Sequence, residues 1–259
     1  MKDLLANELL KFRRSRAVKA VFWLYVFSYG TSALAKGGRT DSYLNYGFGA
    51  PFTAFGIIGT SALWLYAVMA AGMAADEFKQ GTIHNALACG VERGKYYRAK
   101  ICVLLGGSAL FYLCSLAVFC IVRIPMLGFG PDTLVFSHYW LAVLVYNLGV
   151  IVVIMSNMAF YIFIAYLTKS SVKTFISTFF ISILELIIYG RCMDMNVQSE
   201  VFTCGPVGTM EKMMKLVHTM KDSKVILSAD FVRMLLPCVC IEIIFLLAGY
   251  QVFKRSDIN

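Results

Sequence analysis

The sequence predicts an all-α, polytopic membrane protein with six transmembrane helices, on three observations. First, 59% of the 259 residues are hydrophobic and only 15% are charged, with a mean hydropathy of +0.71. A soluble domain holds about 45–50% apolar and about 25% charged residues, and a chain of this length cannot bury the excess in one core. Second, apolar stretches long enough to cross a bilayer, which takes about 20 helical residues, recur at Ala17–Ala35, Phe52–Ala75, Ile101–Val122, Trp140–Leu167, Val172–Gly190 and Met234–Phe253. Third, these runs lack the apolar–polar alternation of a membrane β-barrel, so helices must satisfy the backbone in lipid. The same composition argues against a disordered chain, a soluble enzyme and a secreted disulfide scaffold. Eight cysteines are sparse for this length, and most fall in apolar runs.

The elements follow in chain order. Residues 1–16 read as an interfacial helix, with Leu5, Leu9 and Phe12 at helical spacing and Lys11, Arg13, Arg14 and Arg16 facing polar surroundings or lipid phosphate. A basic flank for the first span is a compatible reading. Ala33-Leu34-Ala35 resembles a signal-peptide cleavage site, but the long basic region and Tyr25, Tyr29 and Gly30 suit a retained helix better. The second span is rich in small residues, with Ala67, Ala71 and Ala75 spaced by four and Ala70 and Ala74 beside them, a close-packing pattern.

Orientation follows from Lys and Arg. The net charge of +9 would point to nucleic acid in a soluble protein; here the placement points to the membrane instead. With the N-terminus inside, the inner segments hold 15 of the 24 Lys and Arg, and six of the outer nine lie in Arg191–Arg233 beside five acids. Both termini are therefore expected in the cytoplasm. The chain reads as one membrane domain over 1–259, with a cytoplasmic loop over 76–100 and an external segment over 191–233. In that external segment Met210, Met213, Met214, Val217 and Met220 form a stripe opposite Glu211, Lys212, Lys215 and His218. The stripe fits a helix dipping into the outer interface or one capping the bundle. Cys192 and Cys204 share this segment and are a candidate disulfide on an oxidising face; the other six cysteines read as small membrane-buried hydrophobes.

Several chemistries find no support. Gly90-Val91-Glu92-Arg93-Gly94-Lys95-Tyr96 is one residue short of a P-loop and lacks its hydroxyl. His84, His138 and His218 include no pair spaced for zinc, and there is no C-x-x-C. No cofactor or metal site and no catalytic residue is expected in this chain; a membrane enzyme using carboxylates alone is the remaining enzymatic alternative.

Two acids do lie inside apolar runs, Glu185 in the fifth span and Glu242 in the sixth. A carboxylate at such a place is a functional candidate by default. Thr174, Thr178, Ser182, Glu185 and Tyr189 step by 4, 4, 3 and 4 and share one helical face. The stripe either lines an aqueous cavity, where it would form a substrate path together with Glu242, or joins helices through its hydroxyls. Asn147 and Asn157 of the fourth span read as packing contacts.

The loop after the second span is the most informative stretch. Asp76-Glu77-Phe78-Lys79-Gln80-Gly81-Thr82-Ile83-His84-Asn85-Ala86-Leu87 reads as a short amphipathic helix with acids at its start, where the helix dipole favours anions. Phe78, Ile83 and Leu87 project between polar residues, as in a docking element for a soluble partner. Glu77, then Gly81-Thr82-Ile83, Leu87, Arg93 and Lys100 resemble the corresponding loop of ABC-2 type ABC transporter permeases. Cys89-Gly90 departs from the Ser-Pro of many relatives. The resemblance implies an ABC-2 type exporter fold, with an ATPase-coupling role for Asp76, Glu77, Phe78, Gly81, Thr82, Ile83, Leu87 and Arg93. It also implies ABC ATPase subunits that hold ATP and Mg2+, and a second permease copy or homologous permease. The layout is echoed across the chain, down to the basic–acidic tail Phe253-Lys254-Arg255-Ser256-Asp257. The compact form is similar to bacterial antimicrobial-peptide and bacitracin-type exporter permeases. That likeness implies a bacterial plasma membrane, an amphipathic or peptide-like substrate moved outward, and a part in antibiotic resistance or immunity. A non-transport sensor or assembly subunit that recruits a cytoplasmic partner through the same loop is the alternative function.

Overall fold

The computed structural model describes residues 2–34, 47–58, 61–128, 138–194, 205–219 and 226–255. Among the described residues every regular element is helical. In order these are α1 (Lys2–Arg14), α2 (Arg16–Leu34), a 3-10 turn (Gly47–Gly49), α3 (Ala50–Ile58), α4 (Ser61–Ala70), a π-helical turn (Ala71–Ala75), α5 (Asp76–Lys79) and α6 (Thr82–Ala88). The long helices α7 (Arg93–Leu127), α8 (Tyr139–Thr168) and α9 (Ser171–Asp194) follow, then α10 (Pro206–Thr219) and α11 (Ala229–Arg255).

By length and composition α7, α8 and α11 are each able to cross a membrane. The first and fifth expected spans correspond to α2 and α9, which carry more hydroxyls and basic residues along their length. Within the second expected span, Phe52–Ala75, α3 runs to Ile58 and α4 runs from Ser61, and the helix widens to a π-turn at Ala71–Ala75 before continuing as α5. Small side chains allow this. Ala67, Ala70, Ala71, Ala74 and Ala75 are all buried, and a Cβ on Gly72 would sit 2.9 Å from that of Ala17 on α2. The small-residue stripe thus works as the close-packing surface its spacing predicts. Arg93–Lys100, the last part of the expected cytoplasmic loop, is helical and forms the first two turns of α7.

α8 lies at the centre, packed against α3, α4, α7, α9, α10 and α11, while α7 bridges α8 to α1 and α2. Tyrosines fill the interior: Tyr25, Tyr29, Tyr66, Tyr112 and Tyr146 are all fully buried. Asn147 supports the packing reading, because it accepts the Tyr112 hydroxyl proton at 2.5 Å and donates to Val143 O at 2.8 Å and Pro51 O at 3.3 Å. The outer face is apolar. Trp23, Phe27, Trp140, Phe180 and Ile244 are all more than 60% exposed, an arrangement that suits hydrocarbon and would be costly in water.

α10 turns Met210, Met213 and Val217 inward, fully covered, and packs on α3, α8 and α9. Of the two readings of the methionine stripe, the bundle-capping one fits this position. Met220 lies outside the described residues. So does Cys204, and with it the expected pairing to Cys192. Cys89 corrects the reading of the other six cysteines as membrane-buried hydrophobes, because it is exposed at the end of α6; Cys102 and Cys240, also exposed, lie on α7 and α11, two of the helices able to cross a membrane.

Candidate functional site

Helix α5 is one turn long, yet three consecutive residues in it contact five separate helices. Asp76 accepts a short hydrogen bond from the Ser171 hydroxyl at the start of α9. Glu77 turns the other way, into an ionic cluster built with α1 and α7. Phe78 packs edge-on against Tyr166 of α8, with ring centroids 5.7 Å apart, and against Phe253 of α11 at 6.4 Å. The Lys169 ammonium lies 5.8 Å from the centre of the same ring.

The cluster holds two carboxylates and two ammoniums. Lys100 of α7 is 0% exposed and contacts both Glu8 of α1 and Glu77, the latter at 2.7 Å. Lys11 of α1 reaches Glu8 at 2.7 Å and Glu77 at 3.1 Å. The Tyr96 hydroxyl donates to the second Glu77 oxygen at 2.6 Å, and its ring lies 5.7 Å from the Lys11 ammonium and 5.8 Å from that of Lys100. Charges this deep persist only when balanced and hydrogen-bonded. Burial works against the charge on Lys11, but the hydrogen bond to Glu8 and the charges of Glu77 and Glu8 outweigh it and hold its pKa above the usual lysine value.

The chain breaks around α5 and α6 are set by two glycines. Gly81 ends α5 with φ +66° and starts α6, a left-handed conformation that L side chains rarely adopt. Gly90, at φ +84°, ends α6: its N–H donates to Leu87 O and the N–H of Val91 donates to Ala86 O. That pair of bonds is a Schellman closure, with glycine at the position that needs positive φ. Gly90 thus fills, by other means, the turn where the resembling loops carry proline. α7 then starts with Arg93, whose guanidinium donates to Lys254 O at the end of α11 at 2.7 Å.

The residues of this loop therefore divide into two sets. Glu77 and Ile83 are buried, Phe78 and Leu87 are half-buried against the core, and the Thr82 hydroxyl donates to Glu77 O. The expected projection of Phe78, Ile83 and Leu87 is corrected: they pack on the protein's own bundle, where their apolar groups find partners. Lys79, Gln80, His84, Asn85, Ala88, Cys89 and Gly90 form the exposed surface.

The polar stripe of α9 is placed with equal clarity. Thr174 and Thr178 are buried and Ser182 nearly so. The Thr174 hydroxyl donates to Ser170 O and shares a 2.7 Å hydrogen bond with that of Thr168, Thr178 donates to Thr174 O, and Ser182 shares a hydrogen bond with Tyr161 of α8. One Glu185 carboxylate oxygen accepts the Val207 N–H at 3.2 Å, at the start of α10. A Cβ on Gly205 would overlap that carboxylate, so glycine is what lets α10 approach. In this conformation the stripe is covered by its own chain, the geometry of helices joined through hydroxyls. The side chain of Tyr189 lies outside the described residues. Glu242 is half-buried on α11 and makes no hydrogen bond or ion pair among the described residues.

Sequence reasoning found Glu77 but missed its partners Glu8, Lys11, Tyr96 and Lys100. The available signal was an acid on the apolar side of the N-terminal helix, Glu8 lying between Leu5 and Phe12 at a helical spacing that puts it inward.

The described residues thus form a helical bundle with a small polar hub at α5, beside which α6 presents one exposed face. A family model described as ABC-2 family transporter protein matches residues 4–185. The chain belongs to that family. Membership makes it a membrane subunit of an ABC transporter and implies association with an ABC ATPase. The matched region runs from α1 to Glu185 and includes the whole ionic cluster. No curated protein matches the chain.

Proposed function

We propose that this chain is the permease of an ATP-driven exporter. It spans a bacterial plasma membrane six times with both termini cytoplasmic, and works with a second permease, identical or homologous. A separate ABC ATPase supplies ATP and Mg2+ chemistry and docks on the exposed residues of α6. The observation that carries this reading is the α5 hub. Movement of α6 is delivered through Asp76 to α9, through Glu77 to α1 and α7, and through Phe78 to α8 and α11. A loop that merely recruited a partner has no need to hold five helices.

The substrate is amphipathic or peptide-like and moves outward along α9 when that helix parts from α8 and α10. Glu185, at the outer part of the stripe, and Glu242 supply a negative field that favours cationic peptides, including antimicrobial ones, and so confer resistance or immunity. The test of the docking surface uses the exposed Cys89 as a cross-linking point, with Cys102 and Cys240 replaced by Ser. A cross-link from Cys89 to the ATPase that strengthens or weakens with bound nucleotide supports the reading. Full ATP-driven export with Cys89 freely labelled throughout the cycle refutes it, and recruitment without any transport favours a sensor or assembly subunit.

A further inference from the structure

A groove of about 670 Å³ lies between α1, α2 and α7. That volume falls within the roughly 300–1,000 Å³ of small-molecule sites. Its walls are apolar, with Leu9 on α1, Phe22 on α2 and Leu110 on α7 among them, and its only charged lining groups are Arg13 and Lys19. These two cations are exposed, and neither forms an ion pair among the described residues, whereas Lys11 and Lys100 are consumed in the cluster. From Cys102 to Leu110 the groove follows α7 for roughly 12 Å, at 1.5 Å per residue.

The floor is shaped by two adjacent glycines with different surroundings. Gly107 is pressed by the Phe12 ring, whose tip a Cβ would overlap, while a Cβ on Gly106 would meet nothing within 4 Å among the described residues. Gly106 thus opens space that no side chain among the described residues fills. The groove opens onto the apolar outer face, beside the exposed Leu5, Leu9 and Leu110, at the basic end of the bundle. An apolar channel open to hydrocarbon, with two unpaired cations between α1 and α2, is complementary to a molecule with an acyl tail and an anionic phosphate. Anionic lipids are drawn to such basic sites on the cytoplasmic side.

We propose that this groove holds one anionic glycerophospholipid, with an acyl chain along Leu9, Phe22, Gly106 and Leu110 and its phosphate on Arg13 and Lys19. The lipid wedges α1 against α2 and α7 and so steadies the helix that presents Glu8 and Lys11 to Glu77. The site stands apart from the substrate path and does not depend on the ATPase.

The test is native mass spectrometry of the full chain released from mixed vesicles of phosphatidylglycerol and phosphatidylcholine with identical acyl chains. The wild type is expected to retain one phosphatidylglycerol at least tenfold in preference to phosphatidylcholine, with no displacement by inorganic phosphate. The Arg13→Gln, Lys19→Gln double variant should lose the preference, Gly106→Trp should lose retention of both lipids, and Arg255→Gln, which removes a charge elsewhere, should behave as wild type. Equal retention of the two lipids by the wild type overturns the proposal. So does a loss of preference in Arg255→Gln as large as in the double variant, which marks a general surface charge effect, or efficient displacement by phosphate, which marks an anion site with no need of the groove.

Discussion

Replacing Lys100 by Met tests whether the buried cluster works as one balanced unit. The native cluster holds Glu8, Glu77, Lys11 and Lys100, and the substitution leaves two carboxylates facing one ammonium, at a place where Lys100 itself is wholly enclosed. Removing one partner of a buried ion pair costs about 3–5 kcal/mol, because the abandoned charge stays buried. Lys11, 41% exposed at its side chain, can shift only part of the way to compensate. At about 2–4 °C per kcal/mol for a chain of this size, the apparent Tm of the purified protein in mild detergent should fall by about 6–20 °C. Adding Glu8→Gln restores one positive to one negative charge, keeps the Lys11–Glu77 contact, and should recover at least half of the loss. A Lys100→Met protein as stable as wild type would refute the reasoning, and so would a double variant no better than the single one. Either result would mean that the charges are not mutually neutralising.

Further predictions concern the turns and the stripe. Gly90→Ala forces a side chain into positive φ at a cost of about 1–2 kcal/mol; it should loosen the α6–α7 corner and speed tryptic cleavage near Arg93, with no loss of membrane insertion. Gly81→Val meets no neighbour but carries the same backbone strain, and should reduce transport per ATP hydrolysed in proteoliposomes. Glu185→Gln keeps an acceptor for the Val207 N–H and should leave Tm near wild type, while export of a cationic peptide falls by about tenfold, equivalent to ~1.4 kcal/mol. Glu185→Leu also removes that acceptor and should destabilise the protein by about 1–3 kcal/mol; full export by the Gln variant would assign Glu185 a purely structural role.

How much of this was legible in the sequence depends on the range of the interaction. Local periodicity is local physics: it predicts α1 with Leu5, Leu9 and Phe12 in one pattern, the helix carrying Thr174 to Glu185, and the methionine face of α10, all of which are helical. Periodicity says which residues share a face, but not what that face meets. The α9 stripe meets α8 and α10, and only tertiary packing decides that. Glu77 was visible as an acid at a helix start, yet its partners lie on α1 and at Lys100, far away along the chain. Lys100 was visible only as a basic member of the resembling loop motif; lysine is almost never fully buried without a partner, and no pattern near it advertises Glu8. The π-turn at Ala71–Ala75 was illegible for another reason. Its residues are uniformly apolar or small, so the hydropathy that marks a span continues across it.

The central claim is that α5 transmits ATPase movement to the spans, and Asp76→Ala tests it most directly because it cuts the link to α9 while leaving the ionic cluster and Phe78 in place. The measurement is the number of substrate molecules exported per ATP hydrolysed by the reconstituted permease–ATPase complex. The account predicts hydrolysis within about twofold of wild type and a transport ratio lowered by about tenfold, the loss of ~1.4 kcal/mol of coupling. An unchanged ratio, with α5 severed from α9, would contradict it.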